Sequence, residues 1–189
     1  MLGKQLISVG RELYESGLQT TRSGNVSVRD GSRFLITKTG ANLGRLKDSD
    51  LIVIEIDASV AIPMSASSET RVHRAVYDAT DARAIVHAHP AHAIALAQVV
   101  KEAGIQPIHN EGLVGLKWIP IIDTSVPGQD VGERPDEIAE QLRRWCTVVI
   151  RGHGAFAVGP DLDDALYKMI LLETVCTINC ISKGLTRGG

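Results

Sequence analysis

Aromatic side chains are scarce in this chain. Two tryptophans, two phenylalanines and three tyrosines make up 4% of 189 residues, so aliphatic side chains must fill the core. Charge of one sign is also lacking: 20 Lys and Arg stand against 22 Asp and Glu, a formal net of −2. That balance removes the electrostatic case for a nucleic-acid or anionic-membrane partner. No uninterrupted apolar run reaches the roughly 18–20 residues of a membrane span. The opening MLGKQLISVGRELYESG mixes charge into a helical pattern and lacks the apolar centre of a signal peptide. Cysteine is sparse, with Cys146, Cys176 and Cys180 forming an odd set whose spacing matches no disulfide framework. Reduced thiols and a cytoplasmic location are therefore expected. Cys176 and Cys180, four residues apart, are read as small packed residues on one helix face.

What is present reads as an ordinary globular composition, 44% apolar and 22% charged. The length suits one domain over residues 1–189. Apolar spacing predicts helices over 2–16, 68–79, 91–103, 135–145 and 161–182. Strands are expected at 25–29, 33–37, 51–56, 84–89, 118–122, 147–150 and 155–158. Gly17 ends the first helix, Pro135 suits a first helical turn, and Asp161 caps the last helix. Asp30-Gly31 between two β-like runs is a hairpin signal. Strands and helices interleave, giving an α/β class. The hairpin argues for a mainly antiparallel or mixed sheet, not a doubly wound parallel one.

The run IVHAHPAHAIAL, residues 85–96, places three of six histidines inside an apolar segment. Alternate residues of a strand share a face, so His87 and His89 project together at the end of a buried strand, where Pro90 stops the ladder. Paired neutral imidazoles gain little from each other, and a divalent cation explains them better. His92 falls on the following helix, either as a ligand or as a support to one. A catalytic metal needs a third ligand and an open position. His153, between two glycines in RGHGAF, is the best candidate, against the alternative of a solvent-facing turn residue. His73 lies one helical turn after Glu69, where a surface salt bridge would account for it.

In SASSETRVH, Ser67 and Ser68 precede a helix that Glu69 opens. Free N–H groups at such a start attract phosphate, although ordinary capping fits as well. Ser23-Gly24-Asn25 and Thr37-Lys38-Thr39-Gly40 set glycine beside small polar residues. Each is either a plain turn or a backbone cradle for a ligand.

The ordered set SGNVSVRD, ITKTG, SSETRVH, IVHAHPAHA and RGHGAFAVGPDLDDAL resembles the class II aldolase/adducin family over residues 5–180, closest to its ketose-1-phosphate aldolases. The resemblance implies a three-layer α/β/α fold around a mainly antiparallel sheet, and a homotetramer with sites at subunit boundaries. It implies that His87, His89 and His153 hold a divalent metal, zinc first, with iron, cobalt or manganese as alternatives. Glu69 would bind the resting metal and act as acid/base. Gly24, Asn25, Thr39, Gly40, Ser67 and Ser68 would form the pocket for a ketose phosphate. The implied reaction splits a ketose 1-phosphate into dihydroxyacetone phosphate and a short aldehyde such as lactaldehyde.

The match fails at two tyrosines. One, donated to a neighbour's site in those aldolases, aligns with Asn110, and a C-terminal one has no counterpart among Tyr14, Tyr77 and Tyr167. Glu111, one residue from the lost tyrosine, is the candidate proton donor from an adjacent subunit, against the alternative of a solvated loop residue. Family relatives that dehydrate methylthioribulose 1-phosphate or epimerise pentulose 5-phosphates offer a second reading. A non-catalytic adducin-like role is a third, and such a domain has no need of the histidines retained here.

Overall fold

A computed structural model describes residues 1–123 and 134–187. Positions 124–133 and 188–189 of the expected domain lie outside the described residues. Helix α1 (Leu2–Glu15) buries Leu6, Val9 and Leu13, and Gly17, at φ +72°, turns the chain away from it. Strands β1 (Asn25–Asp30) and β2 (Arg33–Thr37) form the expected hairpin, with Asp30 opposite Arg33 and Gly31 at φ +66° in the turn. Two short 3₁₀ turns lead to β3 (Leu51–Glu55), then α2 (Thr70–Ala79), β4 (Ala84–Ala88) and α3 (Ala91–Val99). There follow β5 (Gly104–Ile105), α4 (Asn110–Gly115), β6 (Ile119–Ile122), α5 (Pro135–Arg144), β7 (Thr147–Ile150), β8 (Gly154–Gly159) and α6 (Leu162–Arg187).

The eight strands make one sheet in the order β3-β2-β1-β4-β8-β7-β6-β5. Among the described residues every strand pairing is antiparallel except β6 with β7. The expected α/β class and mainly antiparallel sheet are borne out. Strand alternation divides the core in two. Val26, Val28, Val86 and Ala157 face a cluster with α1, α3 and α6. Phe34, Ile85, Phe156 and Val158 face a second cluster with α2 and α5. Helices thus cover both faces, and each buried aliphatic side chain contributes about 1.5–3 kcal/mol.

Several boundaries differ from expectation. The helix expected to reach residue 103 stops at Val99, because Gly104 enters β5 and pairs with Pro120. The segment taken as a loop around Glu111 is helix α4. Helix α6 starts where expected, with Asp161 accepting from the Asp164 backbone N–H at 2.8 Å, but continues to Arg187. Asp163, Asp164, Lys168, Glu173 and Lys183 interrupt it, so no uninterrupted apolar run of span length arises, although by length and composition alone Leu162–Leu185 could cross a membrane. Its buried side, including Met169, Leu172 and Val175, belongs to the first core cluster. Cys146, Cys176 and Cys180 are free thiols, as expected.

Candidate active site

Three adjacent central strands meet where the histidines lie. In the β1–β4 ladder Asn25 stands opposite His87, and in the β4–β8 ladder His87 stands opposite Phe156. Directly opposed residues share a face, so all three point toward α2. The fully buried His87 ring stacks on Phe156 at 4.3 Å between centroids. His89 sits one residue past β4, where its backbone N–H donates to Leu18 O at 2.9 Å. His153 closes the β7–β8 turn: its N–H donates to Ile150 O at 3.0 Å, and Gly152 at φ +75° occupies the position that needs left-handed backbone.

One ring nitrogen from each of His87, His89 and His153 lies within 4.8 Å of the others. The pair expected from strand periodicity and the third residue expected from its glycine turn do converge. Glu69, immediately before α2, joins them. Its Oε2 is 3.2 Å from His87 Nε2, and its Oε1 is 2.9 Å from His153 Nε2. Asn25 Nδ2 donates to Oε2 at 2.6 Å. Burial would raise the Glu69 pKa, but the neighbouring His87 and His153 rings and the Asn25 amide outweigh it and hold the carboxyl well below its usual range. Burial, reinforced by His87 and His153, brings His89 down to about 4, leaving a neutral imidazole at neutral pH.

The donor set fits a cation. His87 Nδ1 is 2.9 Å from Ala155 O, and a carbonyl only accepts, so Nδ1 carries hydrogen. That leaves Nε2 to face His89 Nε2 at 3.1 Å and the Glu69 carboxylate. One proton can relieve one of these contacts, whereas a metal ion can take lone pairs from all three rings and the carboxylate. Gly154 makes room for the arrangement. A Cβ there would sit 2.5 Å from Ala88 O, 2.8 Å from His89 Cδ2 and 3.0 Å from His87 Cε1. The carbonyl belongs to β4 and cannot yield. Gly154→Ala is expected to keep the circular dichroism spectrum but weaken zinc binding about 10–100-fold, the range for disturbed ligand orientation, measured by competition with a chromophoric chelator.

The expected cradles come together beside this group. Gly24 is at φ +77°, and a Cβ there would lie 2.0 Å from Gln19 Oε1 and 2.9 Å from His87 O. Gly40 is at φ +66°. Lys38 bridges Ala66, and the Thr39 N–H donates to Ser65 O at 3.1 Å, which ties the Thr39-Gly40 turn to the segment carrying Ser67 and Ser68. Ser67 Oγ accepts from the Glu69 N–H at 3.3 Å and Ser67 O from the Thr70 N–H at 3.0 Å, a turn ahead of α2, whose N-cap position Glu69 has no side-chain capping bond.

Two histidines lie elsewhere than expected. His92 is half exposed, with Nδ1 2.9 Å from Glu173 Oε1, and that carboxylate also accepts from the His92 and Ala93 N–H groups. It anchors α3 to α6 and takes no place in the histidine group. His73 is not on the surface: it is fully buried, with Nδ1 2.7 Å from Ser27 Oγ. Glu111, in the first turn of α4, accepts from Tyr167 at 3.3 Å and is not brought to the histidines within the chain.

A family model for the class II aldolase and adducin N-terminal domain matches residues 4–180. The chain belongs to this family. An L-fuculose phosphate aldolase of Methanocaldococcus jannaschii is 31% identical over 176 residues, 90% of this chain and 91% of that protein. The crystal structure of L-fuculose-1-phosphate aldolase from Thermus thermophilus superposes with a TM-score of 0.92 at 36% identity, covering 100% of this chain and 97% of that one. A protein of Nocardia farcinica, named a probable bifunctional methylthioribose-1-phosphate isomerase/methylthioribulose-1-phosphate dehydratase, is 31% identical over 93% of this chain and 35% of its own length. The family places the chain among metal-dependent lyases acting in sugar metabolism. Within this class II aldolase, Ser27 and Tyr77 were not singled out from sequence. The available signal was spacing: positions 69, 73 and 77 share a helix face, and 25 and 27 share a strand face.

Proposed function

We propose that the chain cleaves a ketose 1-phosphate resembling L-fuculose 1-phosphate to dihydroxyacetone phosphate and a short aldehyde such as lactaldehyde. The observation that carries this reading is the meeting of three imidazoles with one buried carboxylate, Glu69. A divalent cation held by His87, His89, His153 and resting Glu69, zinc first and iron, cobalt or manganese as alternatives, supplies Lewis-acid stabilisation of negative charge on the former carbonyl oxygen. Gly24, Asn25, Thr39, Gly40, Ser67 and Ser68 bind the phosphate end, and that remote binding positions the bond to be broken. In the aldol direction the ionised Glu69 would take a proton from the triose carbon, and in cleavage it would return to that carbon a proton it has first taken up from solvent. Glu111, exposed on α4 and paired with Tyr167, exchanges the proton of the aldehyde oxygen in the site of an adjacent subunit of a homotetramer. The expected location is cytoplasmic.

The test is release of triose. With zinc, the purified chain is expected to form dihydroxyacetone phosphate from a ketose 1-phosphate, followed by NADH oxidation in the presence of glycerol-phosphate dehydrogenase. A chelator should stop it. The Nocardia relative favours dehydration of methylthioribulose 1-phosphate as the second reading. A dehydratase would release no triose, and an epimerase would return an isomer of equal mass, so either result overturns the aldolase reading.

A further inference from the structure

Beneath the histidine group, the contact between β1 and α2 carries a second polar layer. Asn25 and Ser27 are alternate residues of β1 and face α2 together. Glu69, His73 and Tyr77 follow one another at four-residue steps along the same side of α2. Asn25 bonds Glu69, and one step deeper Ser27 Oγ lies 2.7 Å from His73 Nδ1 and 2.7 Å from Tyr77 Oη. All five residues are buried. Their surroundings are apolar: Phe34 packs on Tyr77 at 5.0 Å, and Phe156 meets His73 edge-on at 6.0 Å. Val72, Val76 and Ile85 complete the layer. Apolar residues would fill this space without the desolvation cost of three polar groups.

The proton count allows the layer a one-way arrangement. Burial pushes the Tyr77 phenol up, so it stays protonated, and burial brings His73 down to about 3, so its ring is neutral. Among the described hydrogen bonds, Tyr77 Oη has Ser27 Oγ as its partner. Either oxygen of the Tyr77–Ser27 pair can donate; with the phenol as donor, the single Ser27 proton points to His73 Nδ1. In that arrangement Nδ1 is the acceptor and the ring hydrogen sits on Nε2, a buried atom without a hydrogen-bond partner among the described residues.

We infer that Tyr77, Ser27 and His73 form a one-way hydrogen-bond chain that fixes His73 as its Nε2–H tautomer and holds α2 where its first residues deliver Glu69 to the three imidazoles. His73 is a positioning residue, acting through Glu69, and its effect on turnover rests on the acid/base role proposed for that carboxylate. A displaced Glu69 would cost rate and leave substrate affinity alone. A misplacement of 1 Å costs about 100-fold. Losing one bond of the chain, with the ring packing kept, is expected to cost about 10-fold, short of that limit.

The experiment uses the full chain and Tyr77→Phe, which removes one oxygen and keeps the ring. In the native protein, ¹⁵N shifts of His73 should show a protonated Nε2 and a bare Nδ1; a protonated Nδ1 overturns the inference without any variant. In Tyr77→Phe, Ser27 is free to accept from His73, so the ¹⁵N pattern should move toward the Nδ1–H form. The visible spectrum of the cobalt-loaded variant should shift in the direction that Glu69→Gln shifts it. Its kcat should fall about 10-fold with KM within about twofold. A variant that only melts earlier, with tautomer, cobalt spectrum and kcat unchanged, shows a purely structural layer and overturns the inference. If the native protein releases no triose, the aldolase reading fails, while the tautomer and the cobalt spectrum still decide the positioning role.

Discussion

Glu69→Gln is expected to lower kcat by about 10²–10⁴-fold, the contribution of a positioned general acid/base, with zinc still bound. The substitution preserves shape and removes the ability to carry a proton to carbon. Three imidazoles remain, which is the ligand number of many catalytic zinc sites. The carboxylate's surroundings make the expectation sharp. It is buried at 5% exposure, lies against His87 and His153, and takes a hydrogen bond from Asn25 at 2.6 Å. A glutamine amide can keep one such bond by turning its oxygen toward Asn25, but it cannot ionise. Triose release and metal content, measured on the same preparation, separate loss of chemistry from loss of metal. A variant retaining more than about a tenth of native kcat would remove Glu69 from the acid/base role.

The parts of this site that could be read in the sequence are those where a local rule has one outcome. The strand period of two places His87 and His89 together, and they converge although β4 ends at Ala88, two residues before Pro90. His153 sits in a three-residue connection where Gly152 supplies the left-handed backbone and Gly154 the space. Asn25, read only as part of a ligand cradle, proved to be the neighbour of His87 across the ladder and a direct partner of Glu69. That pairing depends on which strand lies next to β1, and no local pattern encodes it. His73 was misjudged for the same reason. A histidine four residues after a glutamate reads as a solvent-side pair, and only the docking of α2 on β1 turns it inward to Ser27. Helix α4 escaped detection because six residues with two glycines show no helical periodicity; packing on α6 supplies its order.

Zinc binding and stability should rise and fall together, and His153 is the position that tests this most directly. Replacing His87 would also leave a void against Phe156 and free the Ala155 carbonyl. His153 stands in a turn with its side chain 29% exposed, so His153→Ala removes a ligand with little damage to the core. A metal that binds only the folded chain stabilises it by about 2.7 kcal/mol when its free concentration is about 100 times Kd. For a chain of this size that corresponds to roughly 5–10 °C in Tm. The native protein is expected to show this gain with zinc and to lose it with chelator. If His153→Ala raises Kd about 1000-fold, the same zinc concentration adds less than about 0.1 kcal/mol. Its Tm should then match that of the chelated native protein, and triose release should fall to background. A zinc response in His153→Ala equal to the native one would exclude the Gly-His-Gly turn from the metal centre. An unchanged native Tm under chelator would remove the metal, and with it the Lewis acid on which the proposed cleavage depends.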